Sequence, residues 1–310
     1  MDLRVQLGSL TLNNPVLAAA GTIGYGVEFA RALPLERLGG LVLKTVTRLP
    51  REGSPPPRLV ETPSGMLNAV GLQNVGLEAL VRDKLPALEP YRVPVIVSVL
   101  AETPEELTDM AGRLDAAARA DAIELNLSCP NIRHAGAGHG RHVRLVAHDP
   151  EAVASMVAAA RRATRKPLIA KLTPDVTDLV PVAQAAERTG ADALCVSNTY
   201  VGMSIDPATR RPRLGAVTGG LSGPAIRPLT VYRLWYTAQT VRIPVIGLGG
   251  VVRAEDALEL LLAGASAVAV GTATFADPRA ALRIAGGIER YCRRHHFKSL
   301  QALREAADLQ

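Results

Sequence analysis

Eight short apolar runs recur along the chain, and each has the length of one buried strand. They are rich in Val, Ile, Leu and Ala, the residues that fill parallel strands covered on both faces. The predicted strands span residues 15–21, 40–45, 94–100, 122–128, 167–173, 193–199, 244–250 and 267–273. Segments with helical periodicity lie between them, such as residues 104–120 and 255–265. Eight alternating strands and helices predict an α/β fold, the TIM (β/α)8 barrel.

The connections that leave the predicted strands are longer than those that enter them. Three exits, at 46–73, 130–148 and 200–223, are long enough to cover the C-terminal face of the barrel, where such enzymes hold their active sites. The first 14 residues are expected to form a small hairpin that closes the barrel floor. No linker divides the chain, so we expect residues 1–310 to form one domain.

Composition narrows the class of protein. Hydrophobic residues make up 48% of the chain and aromatic residues only 3%, so aliphatic side chains must form the core. The opening MDLRVQLGSL has no apolar signal segment, and no apolar run is long enough to cross a membrane. The net charge of +6 includes arginine clusters without aromatic residues between them, so we expect no nucleic-acid ligand. A soluble cytoplasmic protein is predicted.

Three cysteines, at 129, 195 and 292, lack the number and spacing of a disulfide framework, a zinc site or an iron–sulfur site. Pro130 follows Cys129 and ends its strand, which presents the thiol in a loop. A thiol titrates at about 8.5 in peptides, close enough to neutral to take a proton from a carbon beside a carbonyl. Cys195 and Cys292 are expected to be small buried hydrophobic residues. Cys129 is therefore the candidate catalytic base.

Polar residues gather at the ends of four predicted strands. These residues are Lys44, Asn126, Lys171, Asn198 and Thr199. The chain has 30 arginines but five lysines, so two lysines at equivalent strand ends indicate a compact charge placed beside a defined atom. With Asn68 and Asn131 in the exit loops, the asparagines could recognise a planar, imide-like ligand. Lysines paired with loop carboxylates and asparagines that cap loops are the alternatives.

Glycines follow two neighbouring strands. Gly247, Gly249 and Gly250 end the seventh predicted strand, and Gly271–Thr272 end the eighth. Glycine lets backbone N–H groups approach an anion, and the loops after strands seven and eight are the usual phosphate site of this barrel. Turns also need glycine, but the position on two adjacent strands favours phosphate binding. No GxGxxG motif opens a Rossmann unit, so we expect no nicotinamide dinucleotide on this chain.

A phosphate site, two rim lysines, several asparagines and a proton-accepting thiol together favour one chemistry. We expect one bound flavin mononucleotide (FMN) that oxidises or reduces a carbon–carbon bond next to a carbonyl. The substrate would lie between the flavin and the thiol. The lysine nearest the flavin pyrimidine would stabilise the reduced ring.

The motifs that contain these residues resemble the class 1 dihydroorotate dehydrogenases of pyrimidine biosynthesis. The resemblance runs from about residue 3 to residue 290 and is carried by NPVLAAAGTIGYG, KTVT, ETPSGMLNAVGLQN, ELNLSCPN, AKLTPDV, VSNTYVGMSID, GGLSGPAIRP, IGLGGV and VGTATF. It implies that Cys129 removes the C5 proton of dihydroorotate while hydride passes from C6 to flavin N5, which gives orotate.

The resemblance also implies two sets of binding residues. The positions that match those around orotate are Lys44, Asn68, Gly71, Leu72, Asn126, Asn131, Asn198 and Thr199. The positions that match flavin-contacting residues are Ala20, Gly21, Lys44, Thr45, Ser98, Asn126, Lys171, Val196, Ser222, Gly223, Gly249, Gly250, Gly271 and Thr272.

The segment GMLNAVGLQN, residues 65–74, is similar to the NAD-linked subclass of this family. That similarity implies a homodimer and a second, electron-transfer subunit with FAD and a [2Fe–2S] cluster, since this chain encodes a site for neither. Two features depart from the family. The loop at 134–148 is longer and more basic than the usual Gly-Gly-x-x-Phe-Gly segment, and Ala20 stands where serine is frequent.

Three other functions fit parts of the pattern. A fumarate-reducing homodimer of the same family would turn over without a partner. A tRNA dihydrouridine synthase also has a flavin barrel with a cysteine after its fourth strand, but the 37 residues after the eighth predicted strand leave little room for an RNA-binding helical domain. A flavin-binding scaffold without catalysis would have no use for Cys129.

Overall fold

The apolar runs form the strands of a closed barrel. The computed structural model describes residues 1–128 and 146–309. Its strands, in chain order, are β1 (Val5–Leu7), β2 (Leu10–Leu12), β3 (Val16–Ala18), β4 (Gly40–Val42), β5 (Leu59–Thr62), β6 (Gly65–Asn68), β7 (Val95–Val99), β8 (Ala122–Asn126), β9 (Leu168–Lys171), β10 (Ala193–Val196), β11 (Tyr200–Met203), β12 (Ile205–Asp206), β13 (Arg211–Pro212), β14 (Thr218–Ser222), β15 (Val245–Leu248) and β16 (Ala267–Val270). Eight of them, β3, β4, β7, β8, β9, β10, β15 and β16, pair in parallel in that order, and β16 pairs with β3. This is the predicted TIM barrel.

Each predicted strand contains one barrel strand, so all eight predictions are confirmed, but the observed strands are shorter. β4 ends at Val42 instead of residue 45, and β10 ends at Val196 instead of residue 199. Lys44 leaves the barrel ladder because its N–H donates to the carbonyl of Gly24 at 2.8 Å. Several polar residues assigned to strand ends therefore lie in the first residues of the exit loops, just above the barrel mouth.

The N-terminal residues form the predicted hairpin. β1 and β2 pair antiparallel around Gly8, whose φ of +58° lies in the left-handed region that glycine tolerates. A Cβ atom on Gly8 would lie 2.9 Å from Asp192, the residue before β10, and the Leu12 side chain reaches Gly40 at the start of β4. The hairpin therefore covers the N-terminal end of the barrel strands, as expected.

Helices follow most barrel strands and pack on the outside. They are α1 (Gly76–Ala79), α2 (Pro104–Asp115), α3 (Pro150–Ala163), α4 (Val180–Arg188), α5 (Arg227–Ala238), α6 (Ala254–Leu262), α7 (Ala273–Ala276), α8 (Ala280–Arg294) and α9 (Leu300–Glu305). α2 buries Leu107, Met110, Ala111 and Leu114, one face of a helix, and ends five residues before the predicted residue 120 because that apolar period stops at Leu114.

Two of the long exits fold into a second sheet. β5 and β6 come from the segment 46–73, and β11 and β14 come from 200–223; they pair antiparallel in the order β11, β14, β6, β5. We call these four strands the roof sheet. The sequence predicted that these segments cover the barrel mouth but not that they form strands. Of the third exit, 130–148, the described part is a single turn at Val146–His148.

Candidate active site

A cavity lies between the barrel mouth and the roof sheet. It encloses ≈ 1150 Å³, including the open space at its entrance. Leu59, Met66 and Asn68 of the roof sheet line one wall, and residues at the ends of barrel strands line the other. The predicted site residues that line it are Ala20, Gly21, Lys44, Thr45, Asn68, Leu72, Asn126, Lys171, Asn198, Thr199, Ser222, Gly223, Gly249, Gly250, Gly271 and Thr272. The structure thus brings together predicted site residues that lie between position 20 and position 272 of the chain.

Glycines and hydroxyl groups form one end of the cavity. We call it the glycine end, formed by Ser222, Gly223, Gly249, Gly250, Gly271 and Thr272. The Thr272 hydroxyl donates to Ser222 Oγ at 2.8 Å. Gly250 has a φ of +77°, and a Cβ there would lie 2.7 Å from the Cα of Arg227. Only glycine fits at Gly250, and its backbone lines the cavity without a side chain.

Long polar side chains form the other end. We call it the polar end, formed by Lys44, Thr45, Asn126, Lys171 and Asn198. Lys171 ends β9, and its ammonium nitrogen lies 3.8 Å from Oε1 of Glu124 on β8. Both side chains are almost fully buried, at 5% and 4% exposure. The polar end therefore contains a desolvated ion pair, of which Lys171 faces the cavity.

A chain of hydrogen bonds joins polar residues on or just after three barrel strands, β4, β7 and β8. The Ser98 hydroxyl donates to Oε1 of Glu124 at 2.8 Å and lies 2.8 Å from the hydroxyl of Thr45. The Asn126 amide donates to Thr45 Oγ1 at 3.1 Å. The Ser128 hydroxyl donates to Oδ1 of Asn126 at 3.3 Å. These bonds fix the orientation of Asn126, whose amide faces the cavity.

Asn198 extends this chain to the loop that follows β10. Its Nδ2 donates to the hydroxyl of Ser128 at 2.9 Å, and its Oδ1 accepts from the N–H of Thr199 at 2.8 Å. On the roof sheet, the Asn68 amide donates to the carbonyl of Gly220 at 3.2 Å. Both asparagines are thus held at the amide nitrogen while they line the cavity.

Among the described residues, three predicted site residues do not line the cavity: Gly71, Ser98 and Val196. Ser98 is fully buried behind Thr45, and Val196 is buried one residue before Ser197, which does line the cavity. Gly71 lies between two lining residues, but a Cβ on it would meet Ser54 at 2.3 Å. Cys129 and Asn131 lie outside the described residues.

Sequence reasoning missed Glu124, Ser128 and Asn74. Glu124 is a carboxylate inside an otherwise apolar strand, two residues before Asn126, and that spacing could have placed both side chains on the inward face. Asn74 braces the exit loop above β4: it donates to the hydroxyl of Thr47 at 3.0 Å and to the carbonyl of Leu72 at 2.7 Å. No pattern in the sequence distinguishes Asn74 from an ordinary loop asparagine.

The two described cysteines are core residues, as predicted. Cys195 on β10 and Cys292 on α8 are both buried. Burial raises the pKa of the Cys195 thiol to about 12, so it stays neutral at any physiological pH. Burial also raises the pKa of Cys292. Neither thiol is suited to accept a proton from a substrate.

Comparisons with known proteins decide the family. The family model for dihydroorotate dehydrogenase matches residues 2–291. The chain belongs to the dihydroorotate dehydrogenase family. The resemblance inferred from the motifs is confirmed, and the family match spans all eight barrel strands.

Among relatives of this family member, one from Trichlorobacter lovleyi is 50% identical over 299 residues, 96% of each chain. One from Pelobacter propionicus is 50% identical and covers 95% of this chain and 94% of the relative. One from Desulforudis audaxviator is 50% identical and covers 98% and 96%. All three are named dihydroorotate dehydrogenase B (NAD(+)), catalytic subunit. The similarity to the NAD-linked subclass is confirmed.

The described residues contain neither a cluster suited to a metal ion nor a helix suited to cross a membrane. Across residues 1–128 and 146–309, no group of three or more His, Cys, Asp or Glu side chains is arranged to hold a metal ion. In the same residues, no helix has both the length and the apolar character needed to cross a membrane.

Proposed function

We propose that this chain is the FMN-dependent catalytic subunit of an NAD-linked dihydroorotate dehydrogenase, which oxidises dihydroorotate to orotate in pyrimidine biosynthesis. The observation that carries the proposal is the cavity, which has a glycine end, a polar end and three asparagine amides, Asn68, Asn126 and Asn198. Family membership and the relatives' full-length similarity support it.

The cavity fits FMN at specific places. A Cβ on Gly271 would meet nothing closer than 3.7 Å, and a Cβ on Gly21 would have only Lys44 Nζ within 4.0 Å. Both glycines thus leave open space beside the cavity, which a larger residue would fill. The glycine end would hold the phosphate through backbone N–H groups and the two hydroxyls, and Thr45 and Lys171 would hold the ring. When bound, FMN supplies the two-electron acceptor for the oxidation.

The chain's own residues orient the substrate and move its proton. Amides offer both donors and acceptors, so Asn68, Asn126 and Asn198 are suited to the carbonyl and N–H groups of a planar pyrimidine ring. Cys129 receives the C5 proton of dihydroorotate on its sulfur, as the resemblance implies. Asn198 holds Ser128, the residue before this cysteine, by two hydrogen bonds at 2.9 and 3.4 Å.

The names of the relatives extend the proposal to a partner subunit. Because they are called NAD(+)-dependent catalytic subunits, we infer that electrons leave this chain for NAD⁺ through a second subunit. That subunit would carry FAD and a [2Fe–2S] cluster, and the catalytic chain would form a homodimer in the cytoplasm. Purification from native cells, followed by identification of co-eluting protein and chromophores, tests this part.

Replacement of the proposed base tests the chemical step. We expect Cys129→Ala to retain flavin and lose about 10²–10⁴-fold in turnover, the usual contribution of a general base. Cys129→Ser should recover activity only at higher pH, because a hydroxyl is a much weaker acid than a thiol. Cys292→Ala, which removes a thiol buried in α8, is the matched control and should keep its turnover. Full activity of Cys129→Ala would contradict the base assignment, and rapid turnover of the isolated chain with fumarate would favour the partner-free alternative.

A further inference from the structure

Glu124 lies beneath the polar end of the cavity without lining it. Its side chain is 4% exposed and stands 3.8 Å from the ammonium group of Lys171. Desolvating two charges costs several kcal/mol per ion, and buried ion pairs can often be replaced by apolar residues without loss of stability. Stability of the barrel therefore does not account for a carboxylate at this position.

The hydrogen bonds of the polar end all run toward Glu124. A carboxylate can only accept hydrogen bonds, so the Ser98 hydroxyl uses its one proton in the bond to Glu124. Thr45 must then be the donor to Ser98, across the 2.8 Å between their oxygens. The Thr45 oxygen is left to accept from the Asn126 amide. One anion thus sets which atom donates at each step.

The chain continues beyond Asn126 with the same direction. Asn198 donates to Ser128, and Ser128 donates to Oδ1 of Asn126. Hydrogen bonds in such series polarise one another, and the effect is largest away from water. The buried carboxylate is the single fixed acceptor at which the series ends.

We propose that Glu124 is a positioning residue that balances the charge of Lys171 and orients Thr45 and Asn126 toward the ligands of the cavity. The inference rests on the proposed function, because it concerns how these residues meet bound flavin. Glu124 touches neither flavin nor substrate in this arrangement and acts only through its neighbours.

Charge balance has a measurable consequence for the cofactor. Reduction adds negative charge to the flavin ring, and a cation near the ring favours that form. Glu124 offsets the charge of Lys171. Cys195 on β10 is paired with Lys171 in register, but burial raises its pKa to about 12, so it stays neutral and does not balance Lys171. Removing the carboxylate should therefore make the polar end, which also contains Lys44, more positive by one unit of charge.

The test measures the reduction potential of bound flavin in Glu124→Gln, a change that keeps size and an acceptor for Ser98. We expect the variant to prefer reduced over oxidised flavin by at least tenfold more than the wild type, which corresponds to about 30 mV for a two-electron couple. Lys171→Met should shift the preference in the opposite direction. The double variant should return close to the wild-type potential.

Asp192→Asn is the matched control for loss of an acidic partner. Asp192 pairs with Arg161 at 2.9 Å and accepts from the N–H of Leu168, at the floor of the barrel far from the cavity. A purely structural role of Glu124 would lower flavin retention and melting temperature without changing the ratio of the affinities for reduced and oxidised flavin. Equal flavin reduction potentials in Glu124→Gln and Asp192→Asn would overturn this inference and leave the proposed function intact. A wild-type chain that holds no flavin would overturn both.

Two further variants keep the test decisive if Glu124→Gln does not fold. The double variant with Lys171→Met removes both charges and should fold, because it leaves no unpaired ion; its failure to fold would contradict the charge-balance role. Ser98→Ala cuts the hydrogen-bond chain but keeps the ion pair. It should raise the KM for dihydroorotate without moving the flavin potential, and a wild-type KM would contradict the orienting role.

Discussion

The two ends of the cavity are built by different means. The glycine end presents backbone, because a side chain at Gly250 would collide with Arg227. The polar end presents side chains, and these are held by hydrogen bonds between residues far apart in the chain, such as Asn126 and Thr45. One end therefore depends on local backbone conformation and the other on the pairing of distant strands.

This difference decides which substitutions each end tolerates. At the glycine end the decisive quantity is space, so a single added methyl group is a large change. At the polar end the decisive quantities are charge and hydrogen-bond direction, so isosteric changes such as Glu124→Gln matter even though they barely alter volume. Substitutions at the two ends should consequently fail in different ways.

The largest effect is expected at the glycine end, from Gly250→Ala. The backbone there has a φ of +77°, and the new Cβ would lie 2.5 Å from the Cβ of Arg227. We expect the free energy of unfolding to fall by about 1–3 kcal/mol and the flavin to be lost. Thermal unfolding and the flavin absorbance per chain measure the two effects.

Gly112→Ala is the control for this change. Gly112 lies in α2, and a Cβ there would meet nothing closer than the carbonyl of Ala163 at 3.9 Å. Alanine in a helix interior is more stable than glycine by roughly 0.5–1 kcal/mol, so this variant should gain stability and keep its flavin. Retention of flavin by Gly250→Ala would break the proposed contrast between the two ends.

A smaller effect is expected at the polar end, from Asn198→Ala. The change removes the donor to Ser128, next to Cys129 in the chain. A neutral hydrogen bond contributes about 0.5–1.5 kcal/mol, so the KM for dihydroorotate should rise about twofold to tenfold. Flavin retention should not change. Steady-state kinetics and flavin content of the purified variant provide both readouts.

Asn14→Ala serves as the control for Asn198→Ala. Asn14 also bridges two segments, since it donates to the carbonyl of Arg37 at 3.0 Å and accepts from the N–H of Val16 at 3.0 Å, but it lies at the barrel floor. It should lose comparable stability and leave the KM unchanged. An equal KM increase in both variants would mean that Asn198 acts only through overall stability.

The same contrast explains how much of the site could be predicted from sequence. Part of the glycine end was predictable, because Gly249, Gly250 and Gly271 directly follow two apolar strand runs that the barrel makes neighbours, whereas Ser222 and Gly223 came only from the family resemblance. All eight barrel strands were predictable for the same reason, since each apolar run is local. The C-terminal ends of the strands were less predictable, because the N–H of Lys44, for example, donates to the carbonyl of Gly24 instead of to a neighbouring strand.

The polar end was only partly predictable. Lys171 and Asn126 were found as polar residues at strand ends, but Glu124 was not, because its partners Ser98 and Lys171 lie 26 residues before it and on the following barrel strand. The roof sheet was missed for a similar reason: β6 pairs with β14, so Asn68 bonds to Gly220 across a sequence separation of 152. Contacts of this kind follow from the fold and leave no local pattern.

The smallest effect is expected in the loop after β9, four residues beyond Lys171, from Asp175→Asn. Asp175 follows β9 and accepts from the N–H of Val201 at 3.0 Å, an interaction that asparagine can keep. Burial raises the pKa of the Asp175 carboxyl, and this outweighs the opposing influences of the Val201 hydrogen bond and the nearby His148 and Arg233 side chains. The folded state therefore disfavours the ionised form, and the wild type loses stability as pH rises above the unfolded aspartate pKa of about 3.9.

Asp175→Asn should consequently be more stable than the wild type at neutral pH, and the difference should vanish below about pH 3.9, where the carboxyl is protonated in both states. Denaturant unfolding across this range measures it. Asp115→Asn gives the opposite sign, because the Thr164 hydroxyl and the N–H of Arg165 lower the pKa of Asp115. That control should be less stable than the wild type at neutral pH, and the difference should shrink as pH falls, because the wild type then loses the stabilisation of its ionised carboxylate. If both variants changed in the same direction, then burial would not be what separates Asp175 from Asp115.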